Sequence, residues 1–272
     1  MAADLHALQA ELGATDPATG ARATPIYQTA SFVFDDAEHA ASLFGLEAFG
    51  NIYSRITNPT NAVLEERIAA LEGGTAALAV GSGHAAEFLT MHALMQPGDE
   101  FVAANKLYGG SINQFNHSYK NFGWQVVWAD TDDPASFEAA ITPRTKAIMP
   151  VHLYGHPAKM DQLQAIADAH GLLLFEDAAQ AHAATWNGAP VGTFGEFGMF
   201  SLYPTKNMTS GEGGMVSCAT DEIARNVRLL RNQGMEKQYA NEVVGLNNRM
   251  TDVHAAIGRV QLTKVLGWTE TR

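Results

Sequence analysis

One cysteine is present in 272 residues, so no internal disulfide can form and packing alone must hold the fold. Cys218 lies in the strand-like run Met215 to Ala219 and reads as a small core residue. A lone thiol fits a reducing compartment, and a cytoplasmic location is expected. Basic residues are also scarce: 17 Lys and Arg face 29 Asp and Glu, a net charge of −12. That balance argues against nucleic acid and anionic membranes as partners, while leaving room for a local phosphate pocket. No apolar run approaches the length of a membrane span. The start of the chain, Met1-Ala2-Ala3-Asp4-Leu5-His6, lacks a basic stretch followed by an apolar one, so no signal peptide is read. Internal repeats and low-complexity segments are missing as well. Charged residues are 17% of the chain and hydrophobic residues 46%, which predicts a sizeable buried core.

What is present alternates. Short apolar runs fall at Ala76–Val80, Glu100–Ala104, Gln125–Trp128, Ala147–Val151, Leu172–Phe175, Gly198–Leu202 and Gly214–Ser217. Helical patterns separate many of them: Ala85–Met95, Ile112–Phe122, Pro134–Ile141 and Met160–His170, with Glu222–Gln233 after the last. Apolar strands buried on both faces, spaced by amphipathic helices, predict an α/β fold with an open, mainly parallel sheet of seven strands. Residues 1–60 read as an irregular arm punctuated by Pro17, Gly20, Pro25, Gly50 and Pro59, with one short helix from Glu38 to Phe44. Such an arm carries Ile26, Tyr27, Phe32, Phe34, Phe44 and Phe49, and another subunit is its expected partner. A helix begins at Asn61 and is stopped by Gly73-Gly74. Thr251 to Trp268 reads as one more helix, with Val253, Ile257, Val260, Leu262 and Leu266 on its apolar face.

In doubly wound sheets, ligands sit at the carboxyl ends of the strands, and the chemically capable residues here fall at such ends. Gly81-Ser82-Gly83-His84 follows the first strand and opens a helix, a seat for phosphate on backbone N–H groups, although such a turn is often just a turn. Tyr108, in Leu107-Tyr108-Gly109-Gly110, could stack on a flat heterocycle or be an ordinary half-buried tyrosine. Asp177, in Glu176-Asp177-Ala178-Ala179-Gln180, stands where a buried carboxylate needs a partner; a helix N-cap is the plainer alternative. Lys206 follows the strand ending in Ser201-Leu202 and precedes Asn207-Met208-Thr209-Ser210-Gly211-Glu212-Gly213-Gly214. A lysine taken at random is a solvated surface charge. Placed among small residues at a strand end, it can form a Schiff base with the aldehyde of pyridoxal phosphate, with Ser201 on the phosphate, Asp177 on the pyridinium N–H and Gln180 on the ring hydroxyl. His152, His156 and His182 match no tight metal-ligand spacing, so no metal is expected; they are expected to line the pocket or the surface.

At these residues the chain resembles the fold-type-I pyridoxal-phosphate enzymes, and two families within them. From about residue 16 to 148 it resembles the cystathionine γ-synthase family, most closely the O-acetylhomoserine sulfhydrylases, through Pro25-Ile26-Tyr27-Gln28-Thr29, Asn51 to Thr60, Gly81 to Ala86 and Leu107 to Gly110. That resemblance implies that Tyr53 and Arg55 reach the cofactor phosphate of a neighbouring subunit and that Tyr108 stacks on the ring and acts in acid–base steps. From about residue 147 to 272 it resembles the DegT/StrS-type sugar aminotransferases, through Pro150 to Gly155, Glu176 to His182, Ser201 to Gly214 and Gly245 to Met250. This second resemblance implies Asp177 on the pyridine nitrogen, Lys206 as the covalent lysine, Ser201 on the phosphate and Asn247 reaching in from the partner. Lys206 has the aminotransferase neighbourhood; the Ser-x-Thr-Lys-Tyr run usual in sulfhydrylases is absent.

The chain therefore reads as two related halves joined near Ile148, on an aspartate-aminotransferase-like large domain. The expected organisation is an arm at 1–60, a cofactor-binding domain at 61–250, and at 251–272 the start of an interdomain helix without the small C-terminal domain. In sulfhydrylase-type enzymes that domain supplies the arginine for the substrate carboxylate. The expected function is transfer of an amino group to a keto-sugar or similar acceptor, with small-molecule donor and acceptor as partners, in a homodimer or homotetramer with shared sites. The alternatives are sulfhydrylase-type γ-replacement on O-acetylhomoserine, and a non-catalytic fragment that binds the cofactor or merely folds.

Overall fold

The structure is a computed structural model that describes residues 20–21, 24–45, 47–237 and 240–271. The first part of the expected arm, residues 1–19, lies outside the described residues. Seven strands form the central sheet: β1 (Ala76–Val80), β2 (Glu100–Ala104), β3 (Gln125–Ala129), β4 (Thr145–Met149), β5 (Leu173–Asp177), β6 (Phe197–Ser201) and β7 (Gly214–Cys218). Their spatial order is β1-β7-β6-β5-β4-β2-β3. Strand β7 runs antiparallel to both its neighbours, and the remaining pairs are parallel. The expected seven-stranded, mainly parallel sheet is thus present, with boundaries shifted by one or two residues. Ile148, where the two resemblances meet, sits inside β4, which pairs with β2 on one side and β5 on the other.

Side chains leave each strand on alternate faces, and the core divides accordingly. Leu78 and Val80 of β1 join the larger apolar cluster, whereas Ala77 and Ala79 join the smaller one on the opposite face. The larger side is covered by α3 (Gly83–Leu94) and α7 (Asp221–Arg231), with α5 (Pro134–Ala139) and α6 (Met160–His170) further along. The smaller side is covered by α2 (Pro59–Glu72) and α8 (Asp252–Leu262). Both faces of the sheet are thereby removed from water, as a largely parallel sheet requires.

The helix ends carry their signals. Asn58 accepts from Thr60 N at 2.8 Å and Pro59 takes the first position of α2, while Gly73 closes it with φ +75°. Within the described part of the arm, α1 (Ala37–Phe44) forms where a short helix is expected, capped by Asp36. A bridge between Ser31 and Tyr53 folds the arm on itself, and Phe34 packs edge-on against Phe44.

Three expectations are corrected. The pattern from Ile112 to Phe122 is not one α-helix: α4 (Gly109–Asn113) passes into a wider π turn at Gln114–Ser118 and a tight 3₁₀ turn at Tyr119–Phe122. Phe115, Tyr119 and Trp124 are all buried there, and the changing pitch brings their large rings to one face. Thr251 to Trp268 is likewise two helices, α8 and α9 (Val265–Thr271), broken at Thr263 and Lys264. Third, the face of α8 that packs inward is not the one its large residues mark. Val253, Ile257 and Val260 are exposed; Ala255, Gly258, Arg259 and Leu262 are buried. A Cβ at Gly258 would lie 2.5 Å from Ser210 Oγ and 3.2 Å from Leu64, so close approach to α2 selects small residues. Arg259 is accommodated because its guanidinium donates to the carbonyls of Thr24 and Pro25 in the arm.

Candidate active site

A pocket of about 270 Å³ opens at the carboxyl ends of β1, β5 and β6. That is close to the lower end of small-ligand sites, roughly 300 Å³. Gly83, His84, Tyr108, Asp177, Ser201 and Lys206 all line it. The order in which they follow successive strands is what the sequence offered, and the sheet brings them into one cavity.

The seat for an anion is made by close packing. Ser82 caps α3, its Oγ accepting from Ala85 N at 3.0 Å and its carbonyl from Ala86 N at 3.0 Å. The N–H groups of Gly83 and His84, in the first turn, have no carbonyl behind them within the helix and point out of its positive end. Ser201 closes the seat: a Cβ at Gly83 would lie 2.9 Å from Ser201 Cβ. Glycine is needed there for proximity alone. Beside the seat, the rings of His84 and Tyr108 stand 5.5 Å apart at 36°. A Cβ at Gly110 would fall 2.5 Å from Tyr108 and 2.6 Å from His84, so Gly110 leaves the space both rings use.

Asp177 ends β5 and is buried. Its backbone N–H donates to Pro150 O and its carbonyl accepts from His152 N, both at 3.0 Å, which ties it to the chain leaving β4. Its Oδ1 accepts from Ala179 N at 3.0 Å. No helix begins at this point: Ala178 to Ala184 is a series of turns, so Asp177 opens an Asx turn and is not a helix cap. Burial raises its pKa, opposed in turn by the Ala179 N–H, His152, Lys206 and His84. The one oxygen bonded to the turn leaves the other for the cavity.

Lys206 reaches the same cavity from a loop between β6 and β7. Leu202 O accepts from Ser210 N and Thr209 Oγ1, each at 2.9 Å, Leu202 N donates to Gly213 O, and Lys206 N donates to Tyr203 O at 3.0 Å. Gly211, at φ +83°, allows the chain to double back. The amine is half-buried; desolvation lowers its pKa and the Asp177 carboxylate works against that lowering. Burial wins, and a larger share of the amine is neutral and nucleophilic at a given pH. His84 is also lowered, first by burial, with Asp177 raising it and Lys206 lowering it further.

Four sequence-selected residues lie elsewhere. Gln180 does not line the pocket; its Oε1 accepts from Tyr154 N at 2.7 Å. Tyr53, Arg55 and Asn247 also lie outside it. Arg55 sits over the Tyr53 ring at 5.3 Å and donates to Gln233 Oε1 at 2.8 Å. It borders a smaller cavity that it shares with Glu65, Arg231 and Arg249. Asn247 is paired through its backbone with Asn232. The histidines need a correction. His156 is exposed as expected, but His152 and His182 are buried away from the pocket. His152 Nδ1 accepts from Ala158 N at 3.1 Å, which leaves the proton on Nε2, 3.1 Å from Glu176. Glu176 also takes the N–H groups of Gly192, Phe194 and Gly195. This pair builds the floor on which Asp177 stands. Among the described residues, no three His, Cys, Asp or Glu side chains gather as a metal-ligand set.

Glu87 and Ser111 line the pocket and went unread in the sequence. Glu87 is one turn beyond Gly83 on α3 and Ser111 three residues beyond Tyr108 on α4, so helical spacing from the two selected residues carries the signal. Ser111 Oγ donates to Glu87 Oε2 at 2.7 Å. Burial, with the nearby Asp177 charge second, pushes the Glu87 carboxyl up to about 8.

A lysine, a buried carboxylate and a helix N-terminus converging at the strand ends of this sheet define the class: the fold is that of the pyridoxal-phosphate-dependent transferases, with the aspartate-aminotransferase-like large domain. Comparison narrows it. The profile of the DegT/DnrJ/EryC1/StrS aminotransferase family matches residues 50–272, and the chain belongs to that family. It is similar to GDP-perosamine synthase of Caulobacter vibrioides, 40% identical over 215 residues, covering 72% of this chain and 57% of that protein. It is also similar to homocysteine/cysteine synthase of Saccharomyces cerevisiae, 46% identical over 177 residues, covering 64% of this chain and 39% of the yeast protein. Among solved structures, a Campylobacter jejuni chain assigned as an O-acetylhomoserine (thiol)-lyase superposes with a TM-score of 0.76 at 26% identity, covering 97% of this chain and 71% of that one. Its lysine carries a pyridoxyl monophosphate group. Both resemblances are therefore found, and the matched shares are large enough that they overlap along the chain. The chain spans well under two thirds of the length of the curated relatives it matches.

Proposed function

We propose that this chain binds pyridoxal 5′-phosphate and transfers an amino group from a small amino donor to a carbonyl acceptor of the keto-sugar type. The observation that carries the reading is that Lys206 and the buried Asp177 line one pocket at the N-terminus of α3. The donor set fits the group: an amine for an aldehyde, a carboxylate for a ring nitrogen, and N–H groups with a serine hydroxyl for a phosphate. When bound, the cofactor supplies an electron-withdrawing ring that acidifies the donor's α-carbon.

The chain's own residues do the rest. Gly83, His84 and Ser201 hold the phosphate, and the dipole of α3 favours its charge. Tyr108 and His84, whose rings stand side by side at the cavity, would lie against a face of the ring. Asp177 keeps a proton on the ring nitrogen, stabilised there by the Ala179 N–H on its other oxygen. Lys206 anchors the cofactor through Nζ. Its amine, biased toward the neutral form by burial, would also be the group placed to accept and return a proton during the transfer. Tyr53, Arg55 and Asn247, which lie outside this chain's own pocket, complete the pocket of a neighbouring copy, so the working unit is an assembly of at least two.

A second reading, γ-replacement on O-acetylhomoserine, is favoured by Tyr108 in the pocket and by the 46% identity to the yeast homocysteine/cysteine synthase. One experiment separates them. The protein is loaded with pyridoxal 5′-phosphate and mixed with amino donors such as glutamate, or with O-acetylhomoserine and sulfide. Loss of the bound-cofactor absorbance with a donor alone, reversed by a keto-sugar, is expected. Homocysteine release from O-acetylhomoserine, without response to donors, would transfer the assignment to the second reading. A cofactor spectrum that no addition changes would leave a binding fragment without turnover.

A further inference from the structure

One pocket group has no part in the proposed transfer. Glu87 is buried, lines the cavity beside Asp177, and has one oxygen bound by Ser111. Its other oxygen, Oε1, is buried with no partner among the described residues. An orphaned buried carboxyl oxygen is costly unless something in the cavity bonds to it. Its position narrows what that is. The proposed phosphate seat is the first turn of α3, and Glu87 stands four residues, about 6 Å, beyond Gly83 along the helix axis. Glu87 and Asp177 line the same cavity and interact electrostatically, so a ligand whose phosphate sat at Gly83 would present its ring to both. We propose that Glu87 is a second ligand-contacting carboxyl of this pocket, a neutral donor whose Oε1 hydrogen-bonds an acceptor on the ring of the bound heterocyclic phosphate.

The surroundings support a neutral group. Besides Asp177, the charged or titratable groups lining the cavity with it are His84 on its own helix, Tyr108 at the start of α4, and Tyr203, Lys206 and Glu212 from the loop after β6, while buried Tyr119, in the turn after α4, interacts with it from behind. None of these is within ion-pair distance of Glu87 in the described residues, and Asp177 repels a charge on it. Glu87 thus keeps its proton until pH rises to about 8. Below that it donates; above it, the donor is lost and a second negative charge appears beside Asp177.

The inference rests on reading the pocket as a pyridoxal-phosphate site, and its test is built to fail separately. The probe is pyridoxine 5′-phosphate, which has no aldehyde and cannot bond covalently to Lys206. Its affinity for the full chain is measured from pH 6 to 9 by ligand fluorescence, for wild type, Glu87→Gln and Glu87→Ala. Gln, a neutral donor of the same shape, should bind within about threefold of wild type at pH 7, whereas Ala should lose at least about tenfold, the scale of one buried hydrogen bond. Affinity should fall more steeply for wild type than for Glu87→Gln as pH passes about 8, the fall common to both being the probe's own pyridinium losing its proton. Inorganic phosphate, which needs only the helix end and Ser201, should bind all three equally and shows that Glu87→Ala is folded. If Glu87→Ala binds the probe as tightly as wild type, or if wild type and Glu87→Gln weaken to the same extent above pH 8, the assignment of Glu87 is overturned while the cofactor reading stands. If wild type itself does not bind the probe, both are overturned.

Discussion

Replacing Lys206 with alanine is expected to lower turnover by about a thousandfold or more while leaving the pocket able to hold the cofactor non-covalently. Loss of a positioned proton-transfer group alone removes about 10² to 10⁴ in rate. Loss of the covalent anchor adds to that. Arginine should fail as fully as alanine: its guanidinium stays protonated and is no nucleophile, however well it matches the charge. The fold should survive either change. The loop that carries Lys206 is held by backbone bonds to Leu202, Gly213 and Tyr203, and none of them involves the amine. Phosphate binding at Gly83 and Ser201 is the control, since those groups do not depend on the lysine. Steady-state transfer assays, with the bound-cofactor spectrum recorded in parallel, check the result. Retention of more than a tenth of the activity would mean that another amine does the chemistry.

The second large effect is at Asp177, where activity and stability should move in opposite directions. Asp177→Asn keeps the shape and the acceptor for Ala179 N, yet removes the charge that holds a proton on the ring. A loss of about 10² to 10³ in turnover is expected, the scale of removing one pre-oriented electrostatic group. Stability follows from the direction of its pKa. Burial raises the carboxyl above its unfolded value. The stability linked to the neutral carboxyl is therefore full below the unfolded pKa and is lost as pH rises through the folded one. At pH 7 the cofactor-free Asn variant should be at least as stable as wild type; near pH 3, where Asp177 is protonated in both states, the difference should close. Thermal unfolding of both proteins at the two pH values measures this. An Asn variant that is less stable at pH 7 would show that Asp177 is instead held as a well-solvated or strongly paired anion.

Much of this was legible in the residues themselves. The seven strands stood out because each is a short apolar run bounded by polar or turn residues, and a sheet covered on both faces demands such runs. Lys206, Asp177, Ser201 and Gly83 were readable as candidates because each stands at or just after a strand end, and although each had a plainer use, the sheet gathers them round one cavity. Elsewhere the signal was mixed or silent. The buried face of α8 was misread because its contact with α2 uses Ala255 and Gly258, whose merit is small volume, while the larger Val253, Ile257 and Val260 face outward. His152 was misplaced because its role depends on a loop contact with Ala158 and on Glu176, which it meets only when β4 and β5 lie side by side. Glu87 was passed over because a glutamate on a helix is ordinarily solvated; it is buried here because the first turns of α3 line the cavity.

The account depends on one amine meeting one aldehyde. The most direct measurement is to load the protein with pyridoxal 5′-phosphate, reduce it with borohydride, digest it and locate the added mass. The account predicts a single pyridoxyl adduct on Lys206, in the peptide that links β6 to β7. An adduct on any other lysine, or none at a cofactor concentration that saturates the absorbance change, would contradict it.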